Sequence, residues 1–397
     1  MWICCGLSLL AASIVAPRPA VRAQAAPGAV LVDVRRFGAI PDDGKDDADA
    51  IQNAIDAARS GQTIIFPPGV FEISKTLNPR GGGRTIQGAT QLTWQADRVV
   101  ATSQTILKAT GENFVFYLQG SNLALRNLSF QGRALACDRP NNLMNSGVVI
   151  DNCWFSLNVK GDRQDAIEFS TGLADSKITN CVFDPIAGDT GIYGYNWNNL
   201  TIANNLFLNG NEGIHLIAHS DASKDLLIEQ NYCAGLSRMG VEIQGGGVNT
   251  VVQDNWYEKP RMSAKSDEND ATFAYSIVSD RSRGTRIRRN VSIAPERPDG
   301  VGVRIVFELG GSDFLCEDNY SDGGNHVIAV NGAKASGIAR NNLLKGYLEA
   351  PRNSNDARGV FSNNGADVKL KTDLVTRGRP GPNRRFSTLS EASHPGG

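Results

Sequence analysis

IDNCWF (Ile150 to Phe155) is followed by ITNCVF (Ile178 to Phe183), IANNLF (Ile202 to Phe207), IEQNYC (Ile228 to Cys233), VQDNWY (Val252 to Tyr257) and IRRNVS (Ile287 to Ser292). LRNLSF (Leu125 to Phe130) precedes the series and IARNNL (Ile338 to Leu343) follows it. Each phrase places an aliphatic residue, a polar residue, an Asn at or next to the following position, and an aromatic or small apolar residue. From Leu125 to Ile287 the aliphatic anchors are 25, 28, 24, 26, 24 and 35 residues apart. Self-similarity at a period in the twenties means that one structural unit is stacked many times. Irregular spacing suits coils whose loops differ in length.

The unit is built of strands. The phrases alternate apolar and polar residues, are rich in Val, Ile and Phe, and are bounded by Gly, Asn, Asp and Ser. A second short strand precedes most of them: AIEF (Ala166 to Phe169), GIYGY (Gly191 to Tyr195), GIHLI (Gly213 to Ile217), GVEIQ (Gly240 to Gln244) and GVRIV (Gly302 to Val306). Two or three short strands per turn, repeated in register, predict an all-β parallel β-helix, a solenoid whose coils stack about 4.8 Å apart. Asn suits the turns because it tolerates the left-handed conformation, and stacked amides hydrogen-bond along the axis. A leucine-rich repeat would need regularly placed Leu and a helical segment per repeat, and Leu is too scattered here.

The 397 residues need not divide into two domains, because a solenoid grows by length. The 42 Gly and a charged fraction of 20% fit turn-rich β structure. A net charge of -1 argues against a nucleic-acid or anionic-membrane partner. The apolar run Trp2 to Val15, with small residues at Ala23-Gln24-Ala25, reads as an export signal over residues 1–25, although no Lys or Arg precedes it. No membrane association is then expected after its removal, and the location is secreted or periplasmic. One domain covers 26–370, with a cap at 32–74 and coils over about 85–365. The tail 371–397, polar and rich in Pro, Gly and Arg, reads as disordered. Five Cys remain after the signal, at 137, 153, 181, 233 and 316, without the close pairs of a metal site. Cys153 and Cys181 occupy one place in successive repeats and read as stacked buried thiols.

The cap differs from the repeats. Val32 to Ser74 reads as a strand, a turn, a helix starting near Asp46 or Asp47, and a strand ending at Pro67-Pro68-Gly69. Ile51, Ala54, Ile55 and Ala58 form one apolar face of that amphipathic helix, which suits it to cover the open first coil. This segment resembles the N-terminal signature of the pectate-lyase-like superfamily, in its rhamnogalacturonase, epimerase and pectate lyase related branch. The resemblance rests on Phe37-Gly38-Ala39, Asp42-Asp43-Gly44, Asp46-Asp47, Ala50-Ile51-Gln52 and Pro67-Pro68-Gly69, and extends loosely through the repeats to about residue 365. It implies a right-handed parallel β-helix that binds or cleaves polysaccharide. The acidic run Asp42, Asp43, Asp46 and Asp47 raises a calcium reading, against which turn and helix-cap roles are preferred. No acidic calcium cradle of the pectate-lyase kind is visible, so neither a metal nor another cofactor is expected.

In the strands before the Asn phrases, Ile167, Ile192, Ile214, Val241 and Val303 should point inward. Strict alternation then sends Glu168, Tyr193, His215, Glu242 and Arg304 outward in one column, with Ser276 between the last two. Tyr, His and Glu on consecutive coils are proton-transfer groups, so Tyr193, His215 and Glu242 are the catalytic candidates. Glu168, Asp189, Tyr195, Glu212, Arg238, Gln244 and Arg304 are the substrate-binding candidates around them.

Two chemistries fit this set. β-Elimination or C5 epimerisation of a uronic polymer would use Tyr193 and His215 as acid and base, with Arg238 or Gln244 on the substrate carboxylate. Glycoside hydrolysis needs two carboxylates roughly 5 to 9.5 Å apart. Glu168 and Glu242, three coils apart, are too distant, while Glu212 with Glu242 or Asp189 with Glu212 would be near enough. Polygalacturonase-like and mannuronan-epimerase-like motifs appear only in pieces, at Gly188 to Gly191, Asn211 to His215 and Tyr193 to Asn198, and transfer no catalytic role. The expectation is an exported lyase or epimerase acting on a uronic-acid-containing polysaccharide. A hydrolase, or a non-catalytic saccharide-binding or structural β-helix, is the alternative.

Overall fold

The computed structural model describes residues 30–364, apart from 95–97, 139–142, 158–163, 187–189, 220–221, 260–271, 279–280, 294–302, 323–327, 333, 346–351 and 355. The export-signal and tail readings, Asp189 and most of the charged stretch after Glu258 therefore lie outside the described residues. Parallel strands form three long sheets of fourteen, eleven and ten strands, visited in that order on each turn of a right-handed β-helix. A two-stranded antiparallel hairpin, Gln91–Trp94 with Val99–Thr102, is added. Among the described residues no helix is long and apolar enough to cross a membrane.

The repeated phrase is the corner between the fourteen- and eleven-stranded sheets. Its third residue is left-handed in every coil, at Asn127, Asn152, Asn180, Asn204, Gln230, Asp254, Arg289, Asp318 and Asn341, with φ between 53° and 57°. Its fourth residue points inward and builds a ladder. Asn205, Asn231, Asn255, Asn290, Asn319 and Asn342 pass hydrogen bonds from one side-chain amide to the next at 2.8–3.0 Å. Each also donates to a backbone carbonyl of the preceding coil. Cys153 and Cys181, buried free thiols, take the rungs below Asn205. Beside the ladder Phe130, Phe155, Phe183 and Phe207 stack at 4.6–5.0 Å between ring centroids.

The register corrects two details of the repeat. Ile287 is opposite Cys316, and Cys316 is opposite Ala339. A further copy therefore begins at Cys316, hidden because a thiol replaces the aliphatic anchor. In the last copy the anchor is Ala339, fully buried, while Ile338 is 41% exposed.

The cap helix spans Ala48–Ala57 and buries Ala48, Ile51, Ala54 and Ile55 against the first coil. The acidic residues around it are occupied by backbone donors. Asp42 accepts from the Val70 amide, Asp46 from those of Ala48 and Ser74, and Asp47 from that of Ile40.

Candidate active site

The ten-stranded sheet carries the site. Its register sets Glu168 opposite Tyr193, Tyr193 opposite His215, His215 opposite Glu242 and Glu242 opposite Ser276. These residues occupy consecutive coils, about 4.8 Å apart. Arg304 does not continue the column. Ser276 is opposite Glu308, because the pairing slips between Thr272 and Phe273. The strand Val303–Leu309 alternates apolar residues along its whole length, so more than one register satisfies its pattern.

Glu212 enters the site although it lies an odd number of residues before His215. Strict alternation would put the two on opposite faces. Gly213 stands between them within the strand Glu212–Ala218, and a Cβ there would lie 2.6 Å from the Gly240 carbonyl oxygen and 3.3 Å from the Cys233 sulfur. Gly191 and Gly240 occupy the same place in the neighbouring strands.

His215 Nδ1 lies 2.9 Å from Glu212 Oε2 and 3.6 Å from Glu242 Oε2. Arg238 bonds Glu212 Oε1 and approaches Glu242 Oε2 at 3.7 Å, while the Gln244 amide donates to Glu242 Oε1. The Thr190 hydroxyl is 3.4 Å from Glu212 Oε2. One coil back, the Tyr193 and Tyr195 hydroxyls are 2.7 Å apart, and the Tyr193 ring meets His215 edge to face with centroids 5.2 Å apart. His219, exposed, stacks on Tyr195 at 4.6 Å. Glu168 stands apart from this group, ion-paired to Arg133 at 3.3 Å. Asp189 lies outside the described residues.

Exposure divides the cluster into two layers. The side chains of Glu212 and Glu242 are 1% and 3% exposed, whereas those of His215 and Arg238 are 12% and 37% exposed. Cations face the solvent and anions lie beneath. The solvent-facing position expected of Glu242 is thus corrected: it is on the outer face but packed under its neighbours. Nε2 of His215 has no hydrogen-bond partner.

The electrostatics follow from that layering. Burial opposes ionisation of Glu212, but the His215 hydrogen bond and charge, with Arg238 beside it, outweigh burial and hold its pKa below the ordinary value. Burial also opposes charging of His215, yet the Glu212 hydrogen bond and the charges of Glu212 and Glu242 raise its pKa. Glu242 shifts upward, chiefly through burial, which the His215 charge only partly offsets. The buried carboxylates beneath His215 thus favour its protonated form over what burial alone would allow.

A stability profile should show this. The His215 contribution is fully present below its unfolded value of 6.5 and is lost as pH rises through its raised folded value. At the acid end Glu212 must stay ionised, and its contribution is lost as pH falls from 4.5 through its lowered value. The melting-temperature advantage of the wild type over His215→Gln is expected to peak between these limits and to shrink above neutrality. An advantage that grows with pH would overturn the assignment.

Gly194, between the two site tyrosines, is a second sensitive point. A Cβ there would lie 2.3 Å from the Phe169 ring. Gly194→Ala is expected to cost about 1–3 kcal/mol by overpacking, read as a lowered urea midpoint.

Several further aromatic residues of the coils are structural. Trp197 and Tyr257 are fully buried. Trp256 donates its indole N–H to Glu258, and Trp154 donates to the Asp184 carbonyl. His219 and Thr190 are the neighbours that sequence reasoning left without a role. For His219 the signal was its place beyond Ile217, the residue opposite Tyr195.

Among the described residues, Glu212, His215 and Glu242 are the one trio whose ligand-type atoms all lie within 4.8 Å of one another.

The profile of the family described as "Rhamnogalacturonase A/epimerase, pectate lyase-like" matches residues 31–237, just over half of the chain. No curated protein matches the sequence. Among solved structures, the fold is similar to the A-module of an Azotobacter vinelandii mannuronan C-5 epimerase. The TM-score there is 0.53 at 16% identity, covering 85% of this chain and 100% of that one. The catalytic unit of an α-1,3-glucanase from Streptomyces thermodiastaticus gives a TM-score of 0.51 at 16% identity, covering 90% of this chain and 72% of that one. ORF18 of Geobacillus virus E2 gives 0.52 at 14% identity over 84% of this chain. This chain spans only 61% of the viral protein's length.

Proposed function

We propose, from the premise that this chain belongs to the rhamnogalacturonase A/epimerase, pectate lyase-like family, that it is an exported enzyme acting on a uronic-acid-containing polysaccharide. The apolar run Trp2 to Val15 supports export, and the solved relatives named for polysaccharide chemistry support the substrate class. The reaction is abstraction of the proton α to the uronate carboxylate, the step shared by β-elimination and C5 epimerisation. The observation that carries this reading is the layering of the site. The partly exposed groups are Tyr193, Tyr195, His215 and Arg238, while both carboxylates are buried.

Each group has a role in that step. Arg238 and the His215 imidazolium face the substrate carboxylate and stabilise the negative charge that develops on it. Tyr193, whose hydroxyl lies 2.7 Å from that of Tyr195 and whose ring meets His215, takes the α-proton. In elimination the C–H and glycosidic C–O bonds break, a C=C bond forms, and Tyr193 returns the proton to the departing oxygen. In epimerisation the carbon is reprotonated from the opposite face. Glu212 and Glu242 keep His215 charged and oriented. Neither is open to a sugar ring, which disfavours hydrolysis by this pair.

The test incubates the purified protein with a panel of uronic and neutral polysaccharides, following the ultraviolet absorbance of unsaturated uronate together with new reducing ends. Elimination raises both signals. Epimerisation raises neither and is read instead as a changed uronate ratio by NMR. Reducing ends alone would mean hydrolysis. Binding without turnover on any polymer would mean a non-catalytic saccharide-binding protein.

A further inference from the structure

We infer that Glu212, His215 and Glu242 form a binding site for a divalent first-row transition-metal ion. Their converging atoms are His215 Nδ1 and Oε2 of each glutamate, with edges of 2.9 Å and 3.6 Å from the nitrogen and every separation within 4.8 Å. Ligands about 2.1 Å from one ion are separated by about 3.0–3.4 Å in octahedral or tetrahedral geometry. The two measured edges bracket that range. The three donors come from two adjacent coils, so the solenoid itself sets their spacing.

The partners behind them have the form of an outer shell. Arg238 engages Oε1 of Glu212 and Gln244 engages Oε1 of Glu242, which turns both Oε2 atoms toward the imidazole. The proton on Nδ1 serves Glu212. Glu242 Oε2, in a side chain 3% exposed, receives no hydrogen bond. A buried carboxylate oxygen without a donor is costly, and a cation at the convergence point engages it together with the other two atoms. One imidazole nitrogen with two carboxylate oxygens suits Zn²⁺, Mn²⁺, Fe²⁺ or Co²⁺, whereas Ca²⁺ and Mg²⁺ prefer oxygen alone. The sequence reading expected no metal because neither an acidic calcium cradle nor a close Cys pair is visible, and it did not consider Glu212, His215 and Glu242 together.

The inference concerns residues of the proposed catalytic site: an ion on Nδ1 takes the place of the proton that Glu212 accepts, so its charge would stand where the reaction assigned above places that of His215.

The full chain, stripped with chelator, is titrated calorimetrically with Zn²⁺ and separately with Mn²⁺, and metal content is measured after dialysis. The expected result is about one ion per chain for at least one metal, with affinity lowered tenfold or more in His215→Ala and in Glu242→Gln. Glu317→Gln, in a surface pair with Arg340 on another sheet, should match the wild type. Circular dichroism checks that each variant is folded, and Glu242→Gln, which preserves shape, decides if His215→Ala is not. No binding of either metal, or equal binding by wild type and folded variants, would overturn the inference. Because no substrate is present, these outcomes are independent of whether the reaction assigned above is correct.

Discussion

Replacing His215 by Ala is expected to lower turnover on the cognate polysaccharide by roughly 10²- to 10³-fold, the usual range for a lost group that stabilises developing charge. The loss should fall on kcat, since His215 acts on charge that develops in the transition state. Binding of the polymer should change little, because Arg238, Tyr195 and Gln244 remain. The loss cannot be dismissed as unfolding: His215 lies on the outer face, and the core strand residues beside it, Ile214 and Leu216, are unchanged. Removing it does leave Glu212 and Glu242 facing Arg238 alone, so melting temperature is measured alongside. Tyr193→Phe should give a loss of similar size while preserving the ring packing. Activity of folded His215→Ala within about threefold of the wild type would remove the residue from the mechanism, since that is far below the range for a charge-stabilising group.

The second large effect concerns stability. Asn255→Ala is expected to destabilise the β-helix by on the order of 3–5 kcal/mol, measured as a fall in the urea midpoint. The Asn255 side chain accepts from both the backbone and the side-chain nitrogen of Asn231 and donates to the Ile228 carbonyl and to Asn290. Truncation strands buried donors on one side and a buried carbonyl on the other. Each such orphan costs about 1–3 kcal/mol, and their sum is reduced by relaxation and water entry. Cys181 already holds an equivalent rung, and the thiol donates only weakly to nearby carbonyls. A shift below about 1 kcal/mol would mean that the amide ladder contributes no more than a single ordinary hydrogen bond.

The sequence made the solenoid legible because its decisive interactions are local and repeated. A left-handed residue and an inward Asn at every corner leave a phrase that survives loops of different length. The copy at Cys316 escaped because a thiol and an aliphatic side chain fill the same buried place. Pairing register was read correctly at Ile192, Ile214 and Val241, each the first inward residue after a glycine. It was not readable at Val303–Leu309, where the apolar alternation fits two positions and Glu308, not Arg304, faces Ser276. The candidate site was legible as a column of residue types, but its layering was not. Alternation says which face a side chain occupies, and says nothing of Arg238 and Gln244 folding over Glu212 and Glu242. The contact between Glu212 and His215, an odd number of residues apart, likewise does not follow from alternation.

The central claim is that Tyr193 takes the proton next to a uronate carboxylate while His215 stabilises the negative charge that develops there. The most direct measurement is NMR of the uronate C5 position after reaction in deuterated water. The expected result is loss of the C5 proton, as an unsaturated product or as deuterium incorporated at C5, abolished together in Tyr193→Phe and His215→Ala. Products with new reducing ends and the C5 proton fully retained would contradict it.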